Sequence, residues 1–273
     1  MAPGDRSERR KMLDAIFVLK VALAPALILG ASLAGDRWGN TVSGWLVGLP
    51  LTSAPVIFLL ALERGAEFAS ASALGTTLGI VSLSAFSLTY AWLSLRLRLG
   101  WPYAIATGWG VFFLSSLILE GVSVPLVVAS AGVSAWLLLV ARLFPVPSER
   151  AEDQTVGRSG RWDVVARMVA AVSLVFLITE NASYLGPRLS GLLTPFPIYT
   201  SVLAVAIHRS QGPSQAVRFT RGATVSLFTP AIFFLIVGTT ITIWGVGVAY
   251  TLAIAASLAV HWLILVLLNR PST

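Results

Sequence analysis

A chain of 273 residues, 56% hydrophobic and only 11% charged, departs far from a soluble domain, where about a quarter of residues carry charge. The net charge of +7 would suit a nucleic-acid partner, but the basic residues sit between apolar runs, as orientation signals do, so no nucleic acid is expected. The absence of cysteine excludes disulfides, thiolate nucleophiles and cysteine-ligated metals; with two histidines besides, neither a metal nor a cofactor is expected.

Residues 1–11 read as a polar tail. Apolar runs of roughly 20 residues then follow one another with short breaks, which predicts an all-α, polytopic transmembrane bundle whose first partner is the lipid bilayer. The first run, Met12–Ala34, carries no small-residue cleavage signature and is read as a retained span. Span 2, Val42–Leu62, contains two prolines. Span 3, Phe68–Leu95, opens with the small residues Ala69 to Thr77, which predicts a face packed closely on another helix. Spans 4 and 5, Trp101–Leu119 and Val124–Leu143, precede the one long hydrophilic linker, residues 144–161. Beyond it come Val164–Thr179, Leu189–Ile207, Ala216–Thr239 and Trp244–Leu268, nine spans in all. The arginine bias, with lysine only at Lys11 and Lys20, points to a bacterial source and so to the cytoplasmic (inner) membrane.

Span 2 is not an ordinary hydrophobic segment. The stretch Ser43 to Pro55 carries glycines, hydroxyls and the prolines Pro50 and Pro55, and a second version, Ser190 to Thr200 with Pro195 and Pro197, lies 147 residues later. Sliding the chain by 147 over positions 42–106 matches 13 of 65 residues, against roughly one in ten by chance. The matches include Gly44/Gly191, Pro50/Pro197, Gly65/Gly212, Gly75/Gly222 and Tyr103/Tyr250. This reads as a duplication: repeat 1 over 12–122, a connecting span over 123–143, the linker, and repeat 2 over 162–273. Spans 2 and 7 are five crossings apart, which predicts inverted copies. The charges swap accordingly: Arg64 alone follows span 2 while Arg209, Arg218 and Arg221 follow span 7; Arg96 and Arg98 follow span 3 while none follow span 8. An extracellular N-terminus puts the linker inside but leaves Arg6, Arg9, Arg10 and Lys11 outside; a re-entrant span 2 would reverse that assignment.

Interrupted apolar segments at matching positions of two halves point to a transporter's central site. Proline removes an amide donor and frees a carbonyl one turn earlier, and in hydrocarbon such breaks belong where they line a polar cavity. Gly48, Pro50, Thr52, Ser53, Thr194, Pro197, Tyr199 and Thr200 are therefore the expected solute-binding residues, with plain kinks as the alternative. Ionisable residues within spans are candidates for coupling or proton relay: Lys20, which would reach a substrate anion or pair with a carboxylate and would otherwise snorkel; Glu120, otherwise a turn residue; and His261, otherwise a hydrogen-bonded helix partner. Glu180 reads as interfacial and Arg167 as the local partner of Asp163. No catalytic motif is present, so an enzyme is not expected. The reading is a secondary transporter of a small solute, with a non-transporting membrane subunit or lipid-handling scaffold as the alternative, and a homodimer is compatible with both.

The stretches Gly44 to Thr52 and Gly186 to Pro197 resemble a Gly-Gly-x-x-x-Gly-x-Pro pattern of bacterial multi-spanning membrane proteins of unknown function, a resemblance that implies no activity. The inverted plan is similar to that of the drug/metabolite transporters, by analogy of architecture and with a different span count.

Overall fold

The computed structural model describes residues 16–30 (except Ala24 and Ile28), 49–146 and 161–268, with the side chains of 161–164, 166, 167, 261 and 263–268 outside that description. The described elements are all helical: α1 (Ile16–Leu27), α2 (Ser53–Arg64), α3 (Ala66–Leu95), α4 (Trp101–Glu120), α5 (Leu126–Leu143), α6 (Arg161–Leu193), α7 (Ile198–Gln211), α8 (Pro213–Val225) and α9 (Phe228–Leu268). Five stretches are helical, long and apolar enough to cross a membrane: Ala66–Leu95, Trp101–Glu120, Leu126–Leu143, Met168–Leu193 and Pro213–Val260. About 20 residues suffice for one crossing, so the last, at 48 residues, has length for two.

The axis of the bundle is α3, which packs against α2, α4, α5, α6, α8 and α9. Its small residues permit this. A Cβ added at Gly75 would run into the carbonyl oxygen of Arg188, and one at Gly191 into that of Ser72, so α3 and the end of α6 touch backbone to backbone. The hydroxyls that such a helix buries are returned to its own carbonyls: Thr76 Oγ1 donates to Ser72 O at 2.9 Å and Thr77 Oγ1 to Ala73 O at 2.9 Å. The small-residue face expected on span 3 is thus a helix-packing face.

Three expected span boundaries are corrected. A break is expected between Thr179 and Leu189, but α6 runs through that interval and turns only at Gly186 (φ 71°, ψ 170°). The bend is compact because glycine takes the left-handed backbone without a Cβ penalty and Pro187 can start the next turn, where its missing N–H is not needed. Likewise an unbroken span is expected over Ala216–Thr239, yet the chain breaks at Ser226–Leu227, between α8 and α9. The gap expected at residues 240–243 is instead a one-residue bend at Gly245 (φ 77°, ψ 171°).

Of the five described residues with positive φ, four form two pairs in the 147-residue register. Gly65 (φ 92°, ψ 170°) and Gly212 (φ 89°, ψ 172°) close α2 and α7, donating to Ala61 O and His208 O at 3.1 Å in both cases. Arg98 (φ 51°) matches Gly245. The fifth, Gly186, has Gly39 at the corresponding place in the sequence.

The contacts also sort the bundle into two ends. Near the start of α3, Glu63 and Glu180 meet Lys20. Near its finish, the Tyr90 hydroxyl is 2.8 Å from His208 Nδ1 and Trp92 Nε1 donates to Leu143 O. Gly65 and Tyr90 are separated by about 38 Å of helix at 1.5 Å per residue, so the Gly65 and Gly212 turns lie at opposite ends.

Candidate functional site

The two proline-bearing breaks are built by the same backbone bonds. In the first, Leu51 N donates to Leu49 O at 2.8 Å and Ala54 N to Pro50 O at 2.9 Å; in the second, Ile198 N donates to Phe196 O at 2.7 Å and Ser201 N to Pro197 O at 2.8 Å. Each donor and acceptor is displaced by 147 residues from its counterpart. The tight turns are a consequence of Pro50 and Pro197, whose rings fix φ and supply no N–H, so that helix starts only after them. Neither α2 nor α7 has a side-chain cap, which leaves first-turn amides open to a ligand or to water.

A third interruption meets the first two. Pro230 cannot donate to Ser226 O, so Thr229 N bonds that carbonyl at 3.0 Å and Leu227 N turns back to Thr224 O at 3.2 Å. The stretch 147 residues earlier, Gly79–Leu83, is regular helix within α3, because Leu83 stands at the position corresponding to Pro230.

These breaks and α3 enclose a cavity of about 90 Å³. A single water needs roughly 10–15 Å³ by the same kind of measure, so there is room for several waters or a small solute. Fourteen of its 18 lining residues form seven pairs in the 147-residue register: Leu49/Phe196, Pro50/Pro197, Thr52/Tyr199, Ser53/Thr200, Thr76/Ala223, Ile80/Leu227 and Leu83/Pro230. No described lining residue is charged. The polar groups are hydroxyls, those of Thr52, Ser53, Thr76, Tyr199, Thr200 and Ser226, set among apolar walls. Ser53 Oγ lies 3.5 Å from Thr194 O, and Thr76 Oγ1 bridges to Gly191 O at 3.2 Å. The arrangement offers hydrogen bonds to a small polar molecule.

Of the expected binding residues, Pro50, Thr52, Ser53, Pro197, Tyr199 and Thr200 line the cavity. Thr194 stands behind it, its hydroxyl donated to Ser190 O at 2.7 Å. Gly48 lies outside the described residues. The coupling candidates do not gather there. Lys20 is buried elsewhere, its Nζ 2.7 Å from both Glu63 Oε1 and Glu180 Oε1. It therefore pairs and does not snorkel. Glu120 is the exposed last residue of α4, and the side chain of His261, like the Asp163–Arg167 pair, falls outside the described set. Among the described residues no group of three or more His, Asp and Glu is placed to hold a metal. The sequence reading missed Thr76, Ser226 and Pro230. Pro230 was the available signal, a further proline inside an apolar run; Thr76 had none, because only the fold brings α3 into the site.

Beyond the cavity, near the α3 C-terminal end and past the expected span Leu189–Ile207, burial lowers the pKa of His208 from its ordinary 6.5. A group whose folded pKa is depressed contributes stability that is complete above the unfolded value and is lost as pH falls through the folded one. The detergent-solubilised protein should therefore lose more melting temperature between about pH 7.5 and pH 5, a window that brackets the ordinary histidine value of about 6.5, than a His208→Gln variant does. Equal losses in the two proteins would remove His208 as a contributor.

No protein family, curated protein or solved structure matches the chain.

Proposed function

We propose that this membrane protein is a secondary transporter built from two inverted repeats, carrying a small, polar, uncharged or amphipathic solute through the cavity between its proline-broken helices. One observation carries the reading: the cavity is walled by register-related pairs from the two halves, as expected when a binding site sits on the axis relating inverted repeats. The opposite placement of the Gly65 and Gly212 turns along α3 supports inversion. It is consistent with nine crossings, in which α2 and α7 each form the second part of a broken span. Access would alternate as one repeat rocks against the other.

Charge supports an orientation. Arg96, Arg98, Arg142 and Arg209 cluster at the α3 C-terminal end, whereas Glu63, Glu67, Glu120 and Glu180 lie toward the other end with Lys20, Arg64 and Arg188. The positive-inside rule then makes the α3 C-terminal end cytoplasmic, in a bacterial inner membrane. Coupling falls to Lys20, the one buried charged residue among those described, with its two carboxylates, in preference to exposed Glu120.

The natively cysteine-free chain suits accessibility labelling. Cysteines at Thr52, Ser53, Tyr199 and Thr200 are expected to react with a membrane-impermeant maleimide, while cysteines at Ile57 and Leu59, both fully buried, stay silent. Silence at all four cavity positions from both sides of the membrane would end the transport reading.

A second reading has its own observation. An apolar groove of about 440 Å³ between α4, α6 and α7, bordered by Trp109, Phe113, Leu177 and Ile178, shares Phe196 with the cavity. Phe196 packs on Trp109, Phe112 and Phe113 with centroids 5.3–5.5 Å away. A lipid-like solute, tail in the groove and head in the cavity, would use both, and this favours lipid handling as the runner-up. Photo-crosslinking of a diazirine fatty-acyl lipid to the groove wall separates the two.

A further inference from the structure

At the α3 C-terminal end, away from the central cavity and the apolar groove, a further pocket of about 410 Å³ opens between the α3–α4 turn and the α7–α8 turn. Its polar lining is basic or neutral: Ser94, Arg96, Arg98, His208 and Ser214, with backbone from Gly100. No carboxylate lines it among the described residues, and neither arginine makes an ion pair with a described residue. The Arg96 guanidinium rests 5.6 Å from the Trp92 ring centroid, a contact that orients the group without neutralising it.

Two further features set this pocket apart from a merely basic surface. Arg98 adopts a left-handed backbone at φ 51°, while its counterpart in the other repeat, Gly245, adopts φ 77°. Glycine takes positive φ freely, whereas a side chain there is disfavoured by contact of its Cβ with the backbone. The first repeat thus keeps a charged side chain at a turn where the second uses the residue that fits best, and such an outlier points toward function. In addition, Ser94 is 3% exposed, and its hydroxyl forms no well-aligned hydrogen bond, its neighbour being the Tyr90 hydroxyl that itself lies 2.8 Å from His208 Nδ1. The starts of α4 and α8 also border the pocket, both without side-chain caps, adding amide donors and the positive ends of two helix dipoles.

We propose that this pocket binds a phosphate group, with Arg96 and Arg98 as its charged ligands and Ser94 and His208 as hydrogen-bonding partners. Guanidinium groups match phosphate oxygens in paired hydrogen bonds. Exposed Trp92, Leu97 and Leu99 alternate with the arginines at this end, where the chain leaves the apolar part of α3. That location lets the phosphate come from an anionic phospholipid headgroup in the cytoplasmic leaflet or from free phosphate in solution.

The test uses the full-length protein and reads thermal unfolding with two probes: phosphatidylglycerol in mixed phosphatidylcholine nanodiscs, and inorganic phosphate added to pure phosphatidylcholine nanodiscs. Wild type should be stabilised by at least one of them. Stabilisation by the lipid alone assigns the headgroup, and stabilisation by inorganic phosphate assigns the free ion as well. Arg98→Gly, which removes the charge and relieves the backbone, should fold at least as well as wild type without the probe. Its half-saturating probe concentration should rise about tenfold or more, the equivalent of one charge-assisted hydrogen bond; Arg96→Gln should behave alike. Arg142→Gln, at the same end but outside the pocket, should respond as wild type does. The proposal is overturned if neither probe stabilises wild type, if Arg98→Gly responds unchanged, or if Arg142→Gln loses as much, since that last result would mean general surface charge. None of these outcomes depends on transport.

Discussion

Replacing Gly191 by alanine is expected to cost the protein about 2 kcal/mol or more, and Gly75→Ala a similar amount, within or above the usual range for overpacking a tight contact. The added Cβ at Gly191 would overlap the Ser72 carbonyl and lie 2.9 Å from Thr76 N; that at Gly75 would overlap the Arg188 carbonyl and lie 3.0 Å from Leu192 N. All four neighbours are backbone atoms, so no side-chain rotation can make room and the helices must move apart. Because one displacement relieves both clashes, the double variant should lose less than the sum of the singles. Gly110 and Gly132, with nothing within 4 Å of an added Cβ, are the controls: alanine there should be neutral or slightly stabilising, as helix propensity dictates. Thermal unfolding in detergent reads all five proteins. If Gly191→Ala melts with the controls, the close crossing of α3 and α6 is wrong. The consequence reaches the cavity, because α6 ends at Leu193 and hands the chain directly to Pro195, Phe196 and Pro197 in its wall.

That crossing shows what the residues disclosed in advance and what they did not. Gly75 and Gly191 both stand among the matches at 147, and the small face of span 3 was legible as a packing face, since only small side chains let backbones meet. The same register carried the two proline breaks correctly, because proline's missing donor acts locally and needs no knowledge of neighbours. The partner of that face was not legible. Nothing local to Gly75 names Arg188 and Leu192, which are brought there by the Gly186 bend, itself hidden because a single left-handed glycine interrupts neither hydropathy nor helix periodicity. Thr76 was invisible as a cavity residue for a related reason: it reads as an ordinary back-bonded hydroxyl until α3 is placed beside both breaks. Lys20 was singled out by its burial cost, whereas Glu63, one residue past the apolar run Val42–Leu62, carries no local signal of its partner.

Removing the Lys20 charge should be the most damaging single change outside the helix crossing. Lys20 is 6% exposed, its Nζ is 2.7 Å from Glu63 and from Glu180, and the Phe176 ring lies beneath it at 5.9 Å. The cluster thus pins α1, the last turn of α2 and α6 together. Lys20→Met leaves two carboxylates facing an apolar side chain. Breaking a buried pair on one side typically costs 3–5 kcal/mol; here about 3 kcal/mol is expected, because the Glu180 side chain is 62% exposed and can turn away, leaving the penalty to Glu63, whose side chain is 18% exposed. Glu180→Gln should cost under about 1 kcal/mol, as exposed pairs do. The diagnostic protein is the double variant Lys20→Met with Glu63→Gln: if the loss comes from an uncompensated carboxylate, neutralising that carboxylate recovers most of it, so the second substitution stabilises in one background and not in the other. No recovery would mean that Lys20 matters through packing alone. The clamp also bears on the cavity. Glu63 sits in the last turn of the twelve-residue helix that begins at Ser53, so freeing its far end should loosen its near one, and a cysteine at Ser53 should label faster in Lys20→Met than in wild type. Restored stability in the double variant should bring that labelling rate back down, which ties the charged cluster mechanically to the site ten residues away along the same helix.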